Sequence, residues 1–217
     1  MEPHFWHDRW QRQQIGFHQA QINPLLVKHW AALKVDAGSV FVPLCGKTLD
    51  LHYFVQQGHP VLGNEFNTLA VEQFFAESGL TPDITPAAEL TLYQAQQYRL
   101  LLGDFFALTP AQLADCRAFY DRGALVALPE QMRQRYAQHL SKIIPTGCKG
   151  LAVLLDYPQE QLDGPAFAVS PAWLNTYLGD AFTIEQIASY DVLAENGKFV
   201  QNGVSWLNEN VFVLTRK

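Results

Sequence analysis

Glu65 follows a short apolar segment and lies about 20 residues beyond a glycine turn at Gly46. A carboxylate at this spacing stands at the end of the strand beside the turn, where it can accept hydrogen bonds from both hydroxyls of a ribose. An ordinary exposed glutamate in front of a helix is the alternative interpretation. The turn is neither Gly-x-Gly-x-x-Gly nor a phosphate loop, because Phe41 stands where a phosphate loop requires its first glycine.

Two later loops also carry side chains suited to ligand binding. Asp104 and Phe105 offer an acceptor for the exocyclic amine of an adenine and a flat apolar wall, although an aspartate cap beside a core phenylalanine has the same pattern. Asp121 and Arg122 place opposite charges in the next loop, where the alternative is a surface ion pair of little energetic value. A ribose carboxylate without a pyrophosphate-binding turn suggests an adenosine ligand such as S-adenosylmethionine rather than a dinucleotide.

Short apolar segments alternate with amphipathic ones, which predicts a parallel sheet with helices on both faces. Strands are predicted over residues 40–44, 60–65, 98–102, 118–122, 151–157, 183–190 and 209–215. Helices are predicted over residues 24–33, 49–57, 68–77, 129–140 and 169–178, with Asn23 and Thr68 as N-caps. Ligands bind beyond the carboxyl ends of such strands, so Glu65, Asp104 and Arg122 are expected at one edge of the sheet.

The composition excludes several classes of function. The chain has 217 residues, of which 48% are apolar, and a formal net charge of -6, so one domain over residues 1–217 and no nucleic-acid partner are expected. No apolar run approaches the ~18 residues that span a bilayer, and the first residues lack a secretory signal pattern. The sparse cysteines, Cys45, Cys116 and Cys148, form neither a disulfide framework nor a metal pair. A cytoplasmic monomer without a metal site is therefore expected.

Aromatic residues are concentrated near the N-terminus. Trp6, Trp10 and Trp30 are three of the five tryptophans in the chain. A terminal arm in solvent would leave these rings exposed, so residues 1–36 are expected to pack across the crevice from Glu65 and Arg122, against a sheet core formed by residues 37–217. His4 and His7 also permit a metal-binding or partner-binding arm, although they lack a third ligand nearby in the sequence.

Several short segments between the N-terminus and about residue 170 form a distinctive series. In chain order they are Phe5-Trp6-x-x-Arg9-Trp10, Ile15-Gly16-Phe17-His18-Gln19, Pro43-Leu44-Cys45-Gly46-Lys47, Gly58-His59-x-Val61-x-Gly63-x-Glu65, Gly103-Asp104-Phe105-Phe106, Tyr120-Asp121-Arg122-Gly123-Ala124-Leu125 and Gly164-Pro165-x-Phe167. This series resembles the thiopurine S-methyltransferase family, specifically its bacterial branch.

The resemblance implies an α/β fold, the seven-stranded mixed, Rossmann-like sheet of S-adenosylmethionine-dependent methyltransferases, with helices on both faces. It implies that residues 1–36 form an N-terminal lid segment and that residues 37–217 form the catalytic sheet core. It also implies site residues. The implied cofactor contacts are Trp6, Trp10, Leu44, Glu65 and Arg122, and the implied acceptor contacts are Phe17, Arg122 and Pro165. Asn64, Ala166 and Gly197 depart from the family pattern. Because Gly197 stands where the family usually has a larger residue, no acceptor role is carried over to the loop at residues 195–203.

The implied activity is methyl transfer from S-adenosylmethionine to the sulfur of thiopurines or other aromatic or heterocyclic thiols. Such thiols react as thiolates by in-line displacement, so Arg122 is expected to favour an anionic acceptor and a strong general base is not required. His18 and Asp8 stay open as candidates for a base. The alternatives are methylation of selenium or tellurium compounds or other small acceptors, and a nicotinamide-dependent oxidoreductase, which the missing triple-glycine turn disfavours.

Overall fold

In the computed structural model, which describes residues 3–15 and 18–217, nine strands form one mixed sheet. The strands are β1 (Ser39–Val42), β2 (Val61–Glu65), β3 (Asp83–Ala87), β4 (Leu90–Ala95), β5 (Tyr98–Leu102), β6 (Cys116–Arg122), β7 (Lys149–Asp156), β8 (Phe182–Asp191) and β9 (Asn208–Arg216). The α-helices of the same ranges are α1 (Pro3–Gln11), α2 (Pro24–His29), α3 (Asp50–Gln56), α4 (Thr68–Glu77), α5 (Ala124–Ala127), α6 (Glu130–Ile143), α7 (Pro171–Leu178) and α8 (Gly197–Gln201).

The strand order places the site-bearing loops at one edge of the sheet. The order is β3-β4-β5-β2-β1-β6-β7-β9-β8, and β5, β2, β1, β6 and β7 run parallel to one another. The chain leaves β1 toward β2 on one side and returns to β6 on the other, which is the strand arrangement that opens a ligand crevice. Within the described ranges, no helix is long and apolar enough to cross a membrane.

The expected α/β fold is confirmed, but the expected number of seven strands is wrong, because the hairpin of β3 and β4 extends the sheet at its edge. Pro86 lies in β3, whose residues are largely exposed, and an edge strand tolerates a proline that a central strand does not. The turns on either side of β4 use Ala88 and Gln96 at positive φ instead of glycine or asparagine. The usual sequence signal of a hairpin is therefore missing.

Two apolar layers hold the helices on opposite faces of the sheet. One layer joins Val40 and Val42 of β1 to side chains of α2, α3 and α4, including Phe54 and Phe74. The other joins Phe41 to side chains of α5, α6 and α7, including Leu140. Alternate residues of β1 thus enter opposite layers, as expected for a central strand that is buried on both faces.

Of the two predicted N-caps, the structure confirms one. The side chain of Asn23 accepts the backbone N–H groups of Leu25 and Leu26, which confirms it as the cap of α2. Thr68 was the expected cap of α4, but that prediction is wrong. Asn67 caps the helix, because its Oδ1 accepts the N–H of Leu69 at 3.0 Å.

Candidate active site

Glu65 ends β2 as a buried carboxylate that joins two loops. Its Oε2 accepts the N–H of Gly46 at 2.8 Å, and its Oε1 accepts the N–H groups of Phe66 at 2.9 Å and Asn67 at 2.8 Å. Burial raises the pKa of Glu65, and these backbone hydrogen bonds oppose that rise. The expected carboxylate therefore stands at the strand end, fixed beside the turn after β1.

The turn after β1 has an unusual backbone at Leu44. This leucine has φ 46°, and Gly46 has φ 54°, so two residues close together adopt left-handed conformations. Glycine adopts this conformation without strain, whereas leucine rarely does, and such outliers are concentrated at ligand sites. Leu44 remains half-buried. The backbone of the turn is thus shaped by its contact with Glu65 and by a strained residue that the resemblance assigns to the cofactor.

Asn64 connects the end of β2 to the loop after β5. The side chain is fully buried, and its Nδ2 donates to the carbonyl oxygens of Leu101 at 3.0 Å and Gly103 at 3.2 Å. The backbone carbonyl of Glu65 accepts the N–H of Gly103 at 2.9 Å. This departure from the family pattern therefore has a structural consequence, since it anchors the segment that begins at Gly103.

Asp104 and Phe105 lie directly after that anchor but differ in exposure. Asp104 is exposed, and its Oδ1 accepts the N–H of Phe106 at 3.0 Å, so it caps a short 3-10 helix. Phe105 is buried, and its ring stacks on Tyr136 with centroids 4.5 Å apart. The capped turn and the core ring match the alternative interpretation of this motif, and the adenine contact stays a prediction.

Arg122 ends β6, the strand beside β1, and lies among ionisable side chains from three other segments. Burial raises the pKa of Asp50 and of Glu209, and the charge of Arg122 opposes the rise at both carboxyls. Burial lowers the pKa of His18, and the charges of Lys47 and Arg122 lower it further. Two cations, two carboxylates and a largely neutral imidazole therefore surround this corner of the crevice.

The N-terminal helix α1 contacts the loop that follows Glu65. Asn67 Nδ2 lies 3.0 Å from Nδ1 of His7, whose ring also packs edge-on against Phe66 with centroids 5.0 Å apart. Trp10 is buried, whereas Trp6 is half-buried. The predicted acceptor contact Phe17 lies outside the described residues. The described part of the segment thus reaches the sheet edge that carries Glu65, and its role as a lid stays a prediction.

Pro165 is connected to the loop at residues 195–203. Its carbonyl oxygen accepts Nζ of Lys198 at 2.6 Å. Burial lowers the pKa of Lys198, and the nearby charge of Arg9 on α1 lowers it further. The loop that the sequence analysis left without a role therefore lies between the predicted acceptor contact and the N-terminal helix.

Sequence reasoning missed several side chains of this corner. Asp50 anchors the chain at the start of α2, because its Oδ1 accepts the N–H of Asn23, the N-cap of that helix, at 2.8 Å. Glu209 is the single acid of β9 and lies two residues before the apolar run at residues 211–214, and this acid was the available signal. The contacts of Asp50 with Asn23 and of His7 with Asn67 had no such signal, because the partners are 27 and 60 residues apart in the sequence.

Comparison with known proteins agrees with this architecture. The family model for thiopurine S-methyltransferase matches residues 1–217. The chain is 51% identical to a thiopurine S-methyltransferase from Shewanella denitrificans and 52% identical to one from Shewanella baltica, in both cases over the full length of both chains.

Solved structures show the same fold at low sequence identity. A methyltransferase from Thiobacillus denitrificans, solved in complex with S-adenosylhomocysteine, superposes with a TM-score of 0.61 at 15% identity, covering 100% of this chain and 99% of that one. A methyltransferase from Anabaena variabilis superposes with a TM-score of 0.59 at 14% identity, covering 98% and 93%. The family match decides against the nicotinamide-dependent oxidoreductase. The chain belongs to the thiopurine S-methyltransferase family and is an enzyme whose cofactor is S-adenosylmethionine.

Proposed function

We propose that this enzyme methylates the sulfur of small aromatic or heterocyclic thiols, thiopurines among them. The observation that carries the proposal is the position of Arg122, at the end of the strand beside β1 and within electrostatic reach of His18, Asp50 and Glu209. A cation there favours an acceptor that carries negative charge, as a thiolate does. The names of the relatives support the same class of acceptor.

The residues at the sheet edge fit an adenosine cofactor. Glu65 supplies carboxylate oxygens at the strand end, and the left-handed backbone at Leu44 and Gly46 shapes the adjoining turn. We assign the ribose to Glu65, the turn contact to Leu44, and the adenine to the segment that begins with Asp104 and Phe105. When bound, S-adenosylmethionine supplies a methyl group on a sulfonium, which a soft nucleophile can accept.

The chain's own residues then align and shield the reactants. An anionic sulfur approaching a cationic centre needs alignment and exclusion of water more than it needs a strong base. Arg122 holds the acceptor as an anion, and Pro165 forms part of the acceptor wall. Trp6 and Trp10 on α1 cover the crevice, and aromatic rings favour a nearby cation by about 0.5–2 kcal/mol.

A proton acceptor is available where the acceptor thiol arrives protonated. Because burial lowers the pKa of His18, its imidazole is largely neutral near pH 7 and can accept a proton. Acidic thiols make this step unnecessary, so we expect His18 to matter for alkyl thiols more than for thiopurines. Asp8, which is exposed on α1, is the weaker candidate for this role.

A methyl-transfer assay with isotopically labelled S-adenosylmethionine tests the acceptor class. The panel contains thiopurines, benzenethiols, alkyl thiols, phenols, amines and the oxyanions of selenium and tellurium. The proposal predicts the highest kcat/KM for the acidic aromatic and heterocyclic thiols. A clear preference for phenols or amines contradicts it, and a preference for the oxyanions replaces it with the chalcogen alternative.

A further inference from the structure

Asp121 is a buried carboxylate that the proposed mechanism does not use. It is 1% exposed and directly precedes Arg122 at the end of β6. Its Oδ1 accepts the N–H of Leu125 in α5 at 3.1 Å, and its Oδ2 accepts the hydroxyl of Tyr136 in α6 at 2.7 Å. The carboxylate therefore ties the turn after Arg122 to a helix on one face of the sheet.

Tyr136 connects Asp121 to Phe105, which lies on the proposed adenine side of the site. The residue is fully buried, and its ring stacks on Phe105 with centroids 4.5 Å apart and an interplanar angle of 26°. The hydroxyl is held by Asp121 while the ring face supports Phe105. One continuous set of contacts thus runs from the turn at Arg122 to the segment after β5.

We propose that Asp121 and Tyr136 are positioning residues that fix Arg122 and Phe105 relative to each other. They thereby hold the acceptor side and the adenine side of the site at a fixed distance and orientation. Neither residue is assigned a contact with a reactant. The inference rests on the proposed function, because the roles of Arg122 and Phe105 come from it. Buried hydrogen-bonded pairs of this kind hold functional side chains in one orientation.

The ionisation of Asp121 is linked to this role. Burial raises the pKa of Asp121 to about 6, and the hydrogen bonds from Tyr136 and from the N–H groups of Leu125 and Ala124 oppose the rise. Its partner on β7 is the uncharged Ala152, and on α6 the charged Arg133 and Glu130 pair with each other. Above this pH the ionised carboxylate serves both sets of donors, and below it one acceptor site is lost.

Tyr136→Phe tests the proposal, because it removes the hydroxyl and keeps the ring. Affinity for S-adenosylhomocysteine, measured by calorimetry from pH 5 to pH 8, is expected to fall about 3- to 10-fold at pH 7. The loss of affinity toward acid is expected to begin at a higher pH than in the wild type, because the hydrogen bond that opposes the rise in the pKa of Asp121 is gone.

Tyr98→Phe is the matched control. Tyr98 is also buried, and it is the first residue of β5, at the end of the strand away from the crevice. Its hydroxyl lies 2.8 Å from Nδ1 of His52 in α3. This variant is expected to lose stability but to keep the affinity and the pH profile of the wild type. A Tyr136→Phe enzyme that behaves like Tyr98→Phe in both readouts overturns the proposal.

Asp121→Asn is the second test, and it can be carried out even if Tyr136→Phe does not fold. It keeps the shape of the side chain and removes its titration, so the acid loss of affinity is expected to be smaller than in the wild type. An unchanged pH profile contradicts the proposal. Binding of S-adenosylhomocysteine involves no acceptor. These binding measurements can therefore be interpreted even if the enzyme does not methylate thiols.

Discussion

Oε2 of Glu65 lies 2.8 Å from the backbone nitrogen of Gly46, and this hydrogen bond joins the carboxyl ends of two neighbouring strands. The other oxygen of the carboxylate accepts two further N–H groups, from Phe66 and Asn67. A carboxylate has about four acceptor positions, so roughly one is left for a ribose hydroxyl. If Glu65 binds both hydroxyls as proposed, a backbone donor has to shift, which would link cofactor binding to the shape of the turn.

Glu65→Gln is expected to weaken binding of S-adenosylmethionine by about 10- to 100-fold. The amide removes the charge and turns one acceptor into a donor, so a ribose hydroxyl loses a charged acceptor, whose hydrogen bond is worth about 1.5–3 kcal/mol. Calorimetric titration with the cofactor measures the change. Glu72→Gln, the same substitution at an exposed position of α4, is the control and is expected to bind normally. Equal affinities for the two variants would remove Glu65 from the site.

Arg122→Ala is expected to lower kcat/KM for an acidic aromatic thiol by about 100-fold, because charge stabilisation of this kind in an active site has that magnitude. Arg122→Lys, which keeps the charge, is expected to recover part of the loss. Arg99→Ala is the control, since Arg99 pairs with Asp115 away from the crevice. An Arg122→Ala enzyme with the same kcat/KM as the control contradicts the role of the arginine.

His7→Phe is expected to loosen α1 from the core, because it keeps the ring against Phe66 and removes the partner of Asn67. Hydrogen exchange of the α1 amides is expected to slow when S-adenosylhomocysteine is added to the wild type, and to slow less in the variant.

Asn67→Ser provides the matched comparison for that helix, because serine retains a cap for α4 and removes the donor to His7. If the hydrogen bond is the coupling, the two substitutions affect cofactor affinity less than additively in a double-mutant cycle. The expectation is contradicted if the two effects on cofactor affinity are fully additive and hydrogen exchange of α1 is identical in the wild type and His7→Phe. The hydrogen bond between His7 and Asn67 would then not be what holds α1 against the core.

Asp121 is expected to make the stability of the fold depend on pH. Burial raises its pKa from 3.8 to about 6, so the folded state holds a proton that the unfolded state has released between these values. The stabilisation is present below about pH 4 and is lost as the pH rises through about 6, by about 3 kcal/mol in total. Urea unfolding of the wild type and of Asp121→Asn at pH 4.5 and pH 6.5 isolates this group. Equal pH dependence of the two free energies of unfolding would contradict the expectation.

Local patterns predicted most of the sheet, because its central strands are short apolar runs with clear ends. The hairpin of β3 and β4 was not predicted, because Pro86 disrupts the strand pattern and Ala88 stands where a hairpin turn usually has glycine or asparagine. The cap of α4 was misplaced by one residue because Asn67 and Thr68 are both good caps, and tertiary contacts decide between them.

The positions of two predicted site residues could be inferred from strand ends, whereas their roles stay predictions. Glu65 and Arg122 are the last residues of β2 and β6, and parallel strands bring their ends to one edge. The contacts of Asp50 with Asn23 and of Asp121 with Tyr136 depend on packing between elements distant in the sequence, and a single chain carries no local signal for them.

The position of the transferred methyl group tests the central claim most directly, because a thiopurine offers both an exocyclic sulfur and ring nitrogens. The enzyme is incubated with a thiopurine and S-adenosylmethionine that carries a ¹³C-labelled methyl group, and the product is examined by NMR. The account predicts a single S-methyl product, whose formation is about 100-fold slower with Arg122→Ala. Label on a ring nitrogen, or no labelled product while S-adenosylhomocysteine binds normally, would contradict it.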